Sequence, residues 1–156
     1  MIQHRPLRIP AAEKQELRAQ FGALCYRIKN DKIQVLLVTG RKSGFWIIPK
    51  GWPVHGETPA SSAMTEAWEE AGVRGKQAGD CLGIYSHYRS DPDIIHPNLV
   101  AVFPVKVKSV EKDFPEAGQR QRKWFSVKKA AAQVDNPELA QIIEAFGRRL
   151  KAKKLQ

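Results

Sequence analysis

Three glutamates lie close together in the sequence, at a spacing that places them on one turn of a helix. Glu66, Glu69 and Glu70 stand at i, i+3 and i+4, positions that share one helical face. No Lys or Arg lies between Gly51 and Val73, so the segment supplies no counter-charge of its own. Carboxylate oxygens are the ligands that Mg²⁺ or Mn²⁺ prefers. The cluster is therefore a candidate cation site, although such a triplet alone is more often a solvated helix face.

The helix that would carry these glutamates is predicted by its end signals. Thr58 is a suitable N-cap, Pro59 suits the first helical position, and Gly72 is typical of a helix end. The preceding stretch from Lys50 to Glu57 is rich in Gly and Pro and is predicted to be a loop. A neighbouring face of small residues would let the helix lie close against a sheet: Ala60, Ala63, Met64, Ala67 and Ala71.

The rest of the chain reads mainly as strands. Two apolar runs, Phe21–Ile28 and Ile33–Thr39, flank Asn30 and Asp31 and predict a β-hairpin. Shorter strands are predicted at residues 45–48, 82–88, 98–108 and 122–127, with Pro104 marking a bulge or an edge strand. A closing helix is predicted to open at residues 136–138. This order indicates an α+β or α/β/α layered domain with a mixed sheet.

Length and composition predict one domain. The 156 residues divide into an N-terminal arm (residues 1–19), a single domain (residues 20–147) and a basic C-terminal tail (residues 148–156). No apolar run is long enough for a membrane span, so no membrane partner is expected. The N-terminus has no apolar region of the kind that secretion signals require, and we therefore expect a cytoplasmic protein.

The charge of the chain indicates an anionic partner. Lys and Arg exceed Asp and Glu by enough to give a formal net charge of +10. Such a surface attracts small polyphosphates and nucleic acids alike. No groove-reading motif is present, so DNA binding is not expected.

The segment around the glutamates resembles the Nudix box. That signature reads G, five residues, E, seven residues, then R-E-U-x-E-E-x-G-U, where U is a bulky aliphatic residue. The chain matches it at Gly51, Glu57, Glu66, Glu69, Glu70, Gly72 and Val73. It departs at Thr65, where the family has Arg, and at Ala67, where the family has a larger aliphatic residue.

The resemblance extends over roughly residues 18–146. The stretches RAQFGALCYR, LLVTGRKSGFWIIPKG and QRQRKWFSVKKA look like the diphosphoinositol polyphosphate and diadenosine polyphosphate hydrolase branch of the superfamily. This implies a Nudix-like α/β/α sandwich with a central mixed sheet.

The resemblance also implies roles for individual residues. Glu66, Glu70 and the backbone carbonyl of Lys50 would hold Mg²⁺ or Mn²⁺, and Glu69 would accept a proton from the attacking water. Glu57 would act in the second sphere, bind an additional metal ion, or only steady the loop. Three loop acids remain alternative bases: Asp91, Asp93 and Glu116. The groups expected to bind substrate are Arg18, Arg41, Arg120, Arg122, Lys50 and Gly51.

The implied function is metal-dependent hydrolysis of a phosphoanhydride bond in a polyphosphorylated small molecule, by a monomer or a homodimer. Diadenosine polyphosphates, diphosphoinositol polyphosphates and related nucleotides all stay open as substrates. In the family the box Arg helps to hold the carboxylates; with Thr65 in its place, Arg41 or Lys50 is a candidate to take over that task. The alternative is a catalytically weak or inactive module that binds nucleotides or RNA 5′ ends. Retention of all four box carboxylates argues against it.

Overall fold

A computed structural model describes residues 5–6, 19–87 and 98–154, without the side chain of Lys154. The predicted loop at residues 90–97 and most of the predicted N-terminal arm lie outside these ranges. The described residues form β1 (Ala19–Lys29), β2 (Lys32–Thr39), β3 (Trp46–Ile47), β4 (Lys50–Gly51), α1 (Pro59–Ala71), β5 (Val73–Gln77), β6 (Gly83–His87), β7 (Asn98–Val110), β8 (Arg122–Ser126), α2 (Val127–Gln133) and α3 (Pro137–Lys154). No helix in these ranges is both long and apolar enough to cross a membrane.

The strands build one mixed sheet in the order β3-β2-β1-β7-β5. Strands β1 and β7 run parallel, and the other pairings are antiparallel. Strand β4 pairs with β1, β6 with β7, and β8 with β2. The predicted mixed sheet is confirmed, and its long central strand β1 carries the short strand β4 that leads into the glutamate helix.

The two faces of the sheet are covered by different helices. Along β1, Ala23 and Cys25 face α1, whereas Leu24 and Tyr26 face α2 and α3. This alternation follows from the period of two in a strand that is buried on both sides. Helix α1 lies close to the sheet through fully buried alanines, and Tyr26 packs edge-on against Phe146 of α3 with ring centroids 5.0 Å apart. The predicted α/β/α layering is confirmed.

The predicted local signals operate as expected. Asn30 and Asp31 both have positive φ, 52° and 63°, as a tight two-residue hairpin turn requires. The Thr58 hydroxyl accepts a hydrogen bond from the backbone N–H of Ser61 at 3.1 Å, and α1 starts at Pro59. Gly72 ends α1 in the left-handed conformation at φ 66°.

Four features differ from the sequence-based expectations. The predicted loop from Lys50 to Glu57 begins with the short strand β4 at Lys50–Gly51, which forms only by pairing with the distant β1. Strand β5 and helix α2 were not predicted, because β5 is mostly polar and α2 is only seven residues long. Pro104 is neither in an edge strand nor at a bulge: it lies inside β7, where the backbone oxygen of Pro104 accepts from Ala78 in the connection between β5 and β6. In a strand the N–H and C=O of one residue point to the same side, so an N–H at position 104 would also face this connection. Its absence in proline therefore removes no hydrogen bond between named strands. Helix α3 continues to Lys154, so residues 148–154 of the expected tail are helical.

Candidate functional site

The C-terminal half of α1 faces strand β4. The backbone N–H of Lys50 donates to Glu70 Oε2 at 3.3 Å. Gly51 lies so close to Glu66 that a methyl group added at Gly51 would overlap the Glu66 carboxylate. Strand β4 is fixed by pairing with Phe21 and Gly22 of β1. The sheet therefore holds the backbone of Lys50 and Gly51 against two of the box glutamates.

Burial and mutual repulsion make these two carboxylates difficult to ionise without a further cation. Burial, together with the negative charges of Glu69 and Glu116, raises the pKa of Glu66 to about 7 against the opposing effects of Arg120 and Lys50. Burial likewise raises the pKa of Glu70 to about 7, against the opposing effect of Arg120. The positive charges nearby thus offset the desolvation of the pair only in part.

Among the described residues, Arg120 is the arginine that contacts the glutamate cluster directly. Its Nη2 lies 3.4 Å from Glu70 Oε1 and 3.3 Å from Glu116 Oε1. Its Nη1 donates to the backbone oxygen of Thr39 at 3.1 Å. The side chain is only 10% exposed. Sequence reasoning assigned Arg120 to the substrate and named Arg41 or Lys50 as the cation that compensates for Thr65, so the contact with Glu70 was missed.

Arg41 is placed quite differently. Its side chain is 59% exposed, with Nε 3.8 Å from Glu116 Oε1, and its Nη1 donates to Gln119 at 3.2 Å. Together with Lys50 and Arg120 it lines a cleft of about 1150 Å³. An exposed guanidinium in a cleft of this size is available to a ligand in a way that the buried Arg120 is not.

The other predicted site residues are not all brought to this cleft. Arg122 donates to the backbone oxygen of Ala71 at 2.6 Å, and its guanidinium carbon lies 4.8 Å from the centre of the Phe114 ring. These contacts place Arg122 on the C-terminal end of α1, where a cation stabilises the exposed carbonyls. Glu57 precedes the N-cap, at the end of α1 opposite Glu70. Arg18, Asp91 and Asp93 lie outside the described residues.

The donor set fits a hard cation only when backbone oxygen is counted. Within residues 5–6, 19–87 and 98–154, no three acidic, histidine or cysteine side chains meet closely enough to hold a metal ion. Glu66 and Glu70 nevertheless converge on β4, where Lys50 adds a carbonyl oxygen within the same strand. The buried carboxylate of Glu70, the partly buried one of Glu66 and one carbonyl would form an oxygen-only set, which suits Mg²⁺ or Mn²⁺ and leaves positions for water.

Comparison with known proteins places this arrangement in a family. The model of the NUDIX domain matches residues 18–146. Nudix hydrolase 21, chloroplastic, from Arabidopsis thaliana is 34% identical over 83% of this chain, which spans 66% of that protein. Human diphosphoinositol polyphosphate phosphohydrolase 2 is 28% identical over 92% of this chain and 78% of its own length. The chain thus spans about two thirds of the Arabidopsis relative.

Solved structures share the fold. A binary complex of the Caenorhabditis elegans Ap4A hydrolase superposes with a TM-score of 0.71 at 23% identity, covering 86% of this chain and 98% of that one. The Escherichia coli dihydroneopterin triphosphate pyrophosphohydrolase superposes with a TM-score of 0.63 at 19% identity, over 85% and 96% of the two chains. The match to the NUDIX domain over residues 18–146 shows that the chain belongs to the Nudix family, and its class is that of the Nudix-type pyrophosphohydrolases.

Proposed function

We propose that this chain hydrolyses a phosphoanhydride bond in a polyphosphorylated small molecule with the help of Mg²⁺ or Mn²⁺. The observation that carries the proposal is the convergence of Glu66 and Glu70 on the β4 backbone beside the large cleft. In this proposal Glu66, Glu70 and the Lys50 carbonyl oxygen hold the ion. A bound divalent ion neutralises phosphate oxygens and lowers the pKa of a coordinated water.

The protein's own groups would then do the following work. Glu69, one residue before Glu70 on α1, accepts a proton from the attacking water. Arg41 binds phosphate oxygens from the exposed side of the cleft, because a guanidinium fork matches their geometry. Glu57 supports the loop that leads into α1.

The walls of the cleft favour a nucleotide over an inositol polyphosphate. Arg41, Lys42 and Lys50 line it from the β2–β3 turn and β4, whereas Asp135 and Glu138 line it from the start of α3. An inositol polyphosphate carries phosphates around its whole ring, so it would bring some of them against these two acids. A nucleoside polyphosphate has its charge at one end and an uncharged base at the other.

An exposed aromatic residue in the same cleft supports this choice. Phe45 is 59% exposed, yet its backbone is held by hydrogen bonds to Gly40 and Ser43. A planar base can stack on such a ring. We therefore propose a nucleoside or dinucleoside polyphosphate as the preferred substrate.

A panel of three substrates tests the proposal. Phosphate release is measured with Mg²⁺ on a diadenosine polyphosphate, a diphosphoinositol polyphosphate and an ADP-sugar. We expect the highest kcat/KM on the diadenosine polyphosphate. A higher value on the inositol compound would overturn the nucleotide assignment. If none of the three compounds is hydrolysed, the alternative is favoured, namely an inactive module that binds nucleotides or RNA 5′ ends.

A further inference from the structure

The partners of Arg120 occupy every nitrogen of its guanidinium. Nε and Nη2 each lie 3.3 Å from Glu116 Oε1, Nη2 also lies 3.4 Å from Glu70 Oε1, and Nη1 donates to Thr39. Protein oxygens thus surround most of the guanidinium, and the side chain is only 10% exposed. The contacts therefore point to a role inside the protein.

The β7–β8 loop that carries Arg120 is joined by hydrogen bonds to the C-terminal end of α1 and to the end of β2. Glu116 N–H donates to the Glu69 oxygen at 3.0 Å, and Glu111 N–H donates to the Gly72 oxygen at 2.8 Å. At its other end, Gln121 N–H donates to Thr39 Oγ1 at 2.9 Å. The guanidinium is thus held in place before any ligand binds.

Arg120 also supplies a cation that the glutamate helix itself does not carry. Position 65, one turn before Glu69, is a threonine, and no Lys or Arg occurs from Gly51 to Val73. The positive group that touches Glu70 comes instead from a loop about fifty residues further along the chain.

We propose that Arg120 is a positioning residue. Because its guanidinium contacts both Glu70 and Glu116, it orients the Glu70 carboxylate and thereby sets the geometry of the cation site. It supplies from the β7–β8 loop the positive charge that Thr65 cannot supply from the helix. Its effect on turnover rests on the proposed function, but its effect on cation binding does not.

Mn²⁺ binding to the purified full chain tests this directly. It is measured by titration calorimetry and by the electron paramagnetic resonance signal of free Mn²⁺. Arg120→Gln removes the charge and the fork, Arg120→Lys keeps the charge alone, and Arg41→Gln is the matched control in the same cleft. Loss of a group that orients a metal ligand costs roughly 10–100-fold in affinity or activity. We expect a loss of that size in Mn²⁺ affinity for Arg120→Gln, a smaller loss for Arg120→Lys, and little change for Arg41→Gln.

Electrostatics alone predicts the opposite sign. If Arg120 only repelled the cation, removing it would tighten Mn²⁺ binding, and that result would overturn the proposal. Unchanged Mn²⁺ affinity in Arg120→Gln would overturn it as well. Thermal unfolding of each variant identifies any loss of fold. If Arg120→Gln does not fold, Arg120→Lys is the deciding variant, since it should remain folded and bind Mn²⁺ more weakly than wild type.

Kinetics separates positioning from substrate binding. On a diadenosine polyphosphate, Arg120→Gln should lower kcat roughly 10–100-fold with little change in KM, whereas Arg41→Gln should raise KM. A raised KM with unchanged kcat in Arg120→Gln would mean that Arg120 binds substrate and does not act as a positioning residue. Adding Thr65→Arg to Arg120→Gln should recover part of the Mn²⁺ affinity. If wild type binds Mn²⁺ but hydrolyses nothing, the proposed function fails while the affinity measurements still judge Arg120.

Discussion

At the scale of single residues, three glutamates on one turn of α1 receive different surroundings. Glu70 is almost fully buried and accepts from the Lys50 backbone, Glu66 lies against Gly51, and Glu69 is one residue away on the same turn. Because two of the carboxylates contact β4 and the third does not share those contacts, their substitutions should have distinguishable effects.

Glu69→Gln should lower kcat by about 10²–10⁴-fold, since it keeps the shape of the side chain but removes the proposed base. KM for a diadenosine polyphosphate should change little. Glu66→Gln and Glu70→Gln should instead weaken Mg²⁺ binding, so that high Mg²⁺ recovers part of their rate. Glu144→Gln, on the exposed side of α3, is the control. A Glu69→Gln enzyme with wild-type kcat would assign the base elsewhere, with Glu116 the next acid to substitute.

The carboxylates of Glu66 and Glu70 predict how the metal-free protein responds to pH. Their pKa values rise from 4.5 in the unfolded chain to about 7 in the fold. The folded state then binds more protons than the unfolded state between these values, so the free energy of unfolding falls as pH rises through that window. Urea unfolding in chelator, from about pH 5 to about pH 8, measures this effect.

The double variant Glu66→Gln/Glu70→Gln is the reference for that measurement, because it removes both titrating groups. Its free energy of unfolding should decline less over the window than that of wild type. Saturating Mg²⁺ should also reduce the decline in wild type, since ligands of the native state stabilise it. Parallel curves for wild type and double variant would contradict the assigned pKa shifts.

At the scale of elements, the site depends on the junction of β4 with α1. The sequence predicted α1 with both of its ends, because Thr58, Pro59 and Gly72 act locally. It also predicted the hairpin through Asn30 and Asp31. Contacts between distant segments had no such signal: Arg120 and Glu70 are joined only by tertiary folding. The i, i+4 spacing of Glu116 and Arg120 was visible in the sequence, but it does not reveal the third partner.

Gly51→Ala should disturb this junction selectively. Its methyl group would overlap the Glu66 carboxylate, which would have to move away from β4. We expect weaker Mn²⁺ binding, by roughly 10–100-fold as for other losses of metal-site geometry. Gly83→Ala is the control, because its methyl group would meet only the Ile142 side chain, with Cγ1 3.1 Å away. Equal Mn²⁺ affinity in the two variants would show that the close approach at Gly51 is not required.

At the scale of the whole molecule, the excess of positive charge is distributed unevenly. Arg41 and Lys42 line the large cleft, while Arg149 and Lys153 of α3 line a separate small groove with Tyr26. The C-terminal cations also lie at the end of a helix, where they interact favourably with the negative end of the helix dipole. Net charge alone therefore does not identify the residues that bind substrate.

Arg41→Gln should raise KM for a diadenosine polyphosphate about tenfold, since a hydrogen bond to a charged group contributes on the order of 1.5 kcal/mol. It should also weaken the rise of KM with salt, because one screened attraction is lost. Lys151→Gln, an exposed substitution on α3, should change neither quantity. Initial rates at several NaCl concentrations provide the comparison. Equal effects of the two variants would mean that the cleft cations act only through net charge.

The most direct test of the account is the dependence of hydrolysis on a divalent cation. The measurement is the rate of phosphoanhydride cleavage in a diadenosine polyphosphate by wild-type protein in EDTA, and again after excess Mg²⁺ or Mn²⁺ is added. We predict no turnover in EDTA and full recovery with either ion, because Glu66 and Glu70 converge on the β4 backbone as an oxygen-only donor set. Full turnover in EDTA would contradict the account.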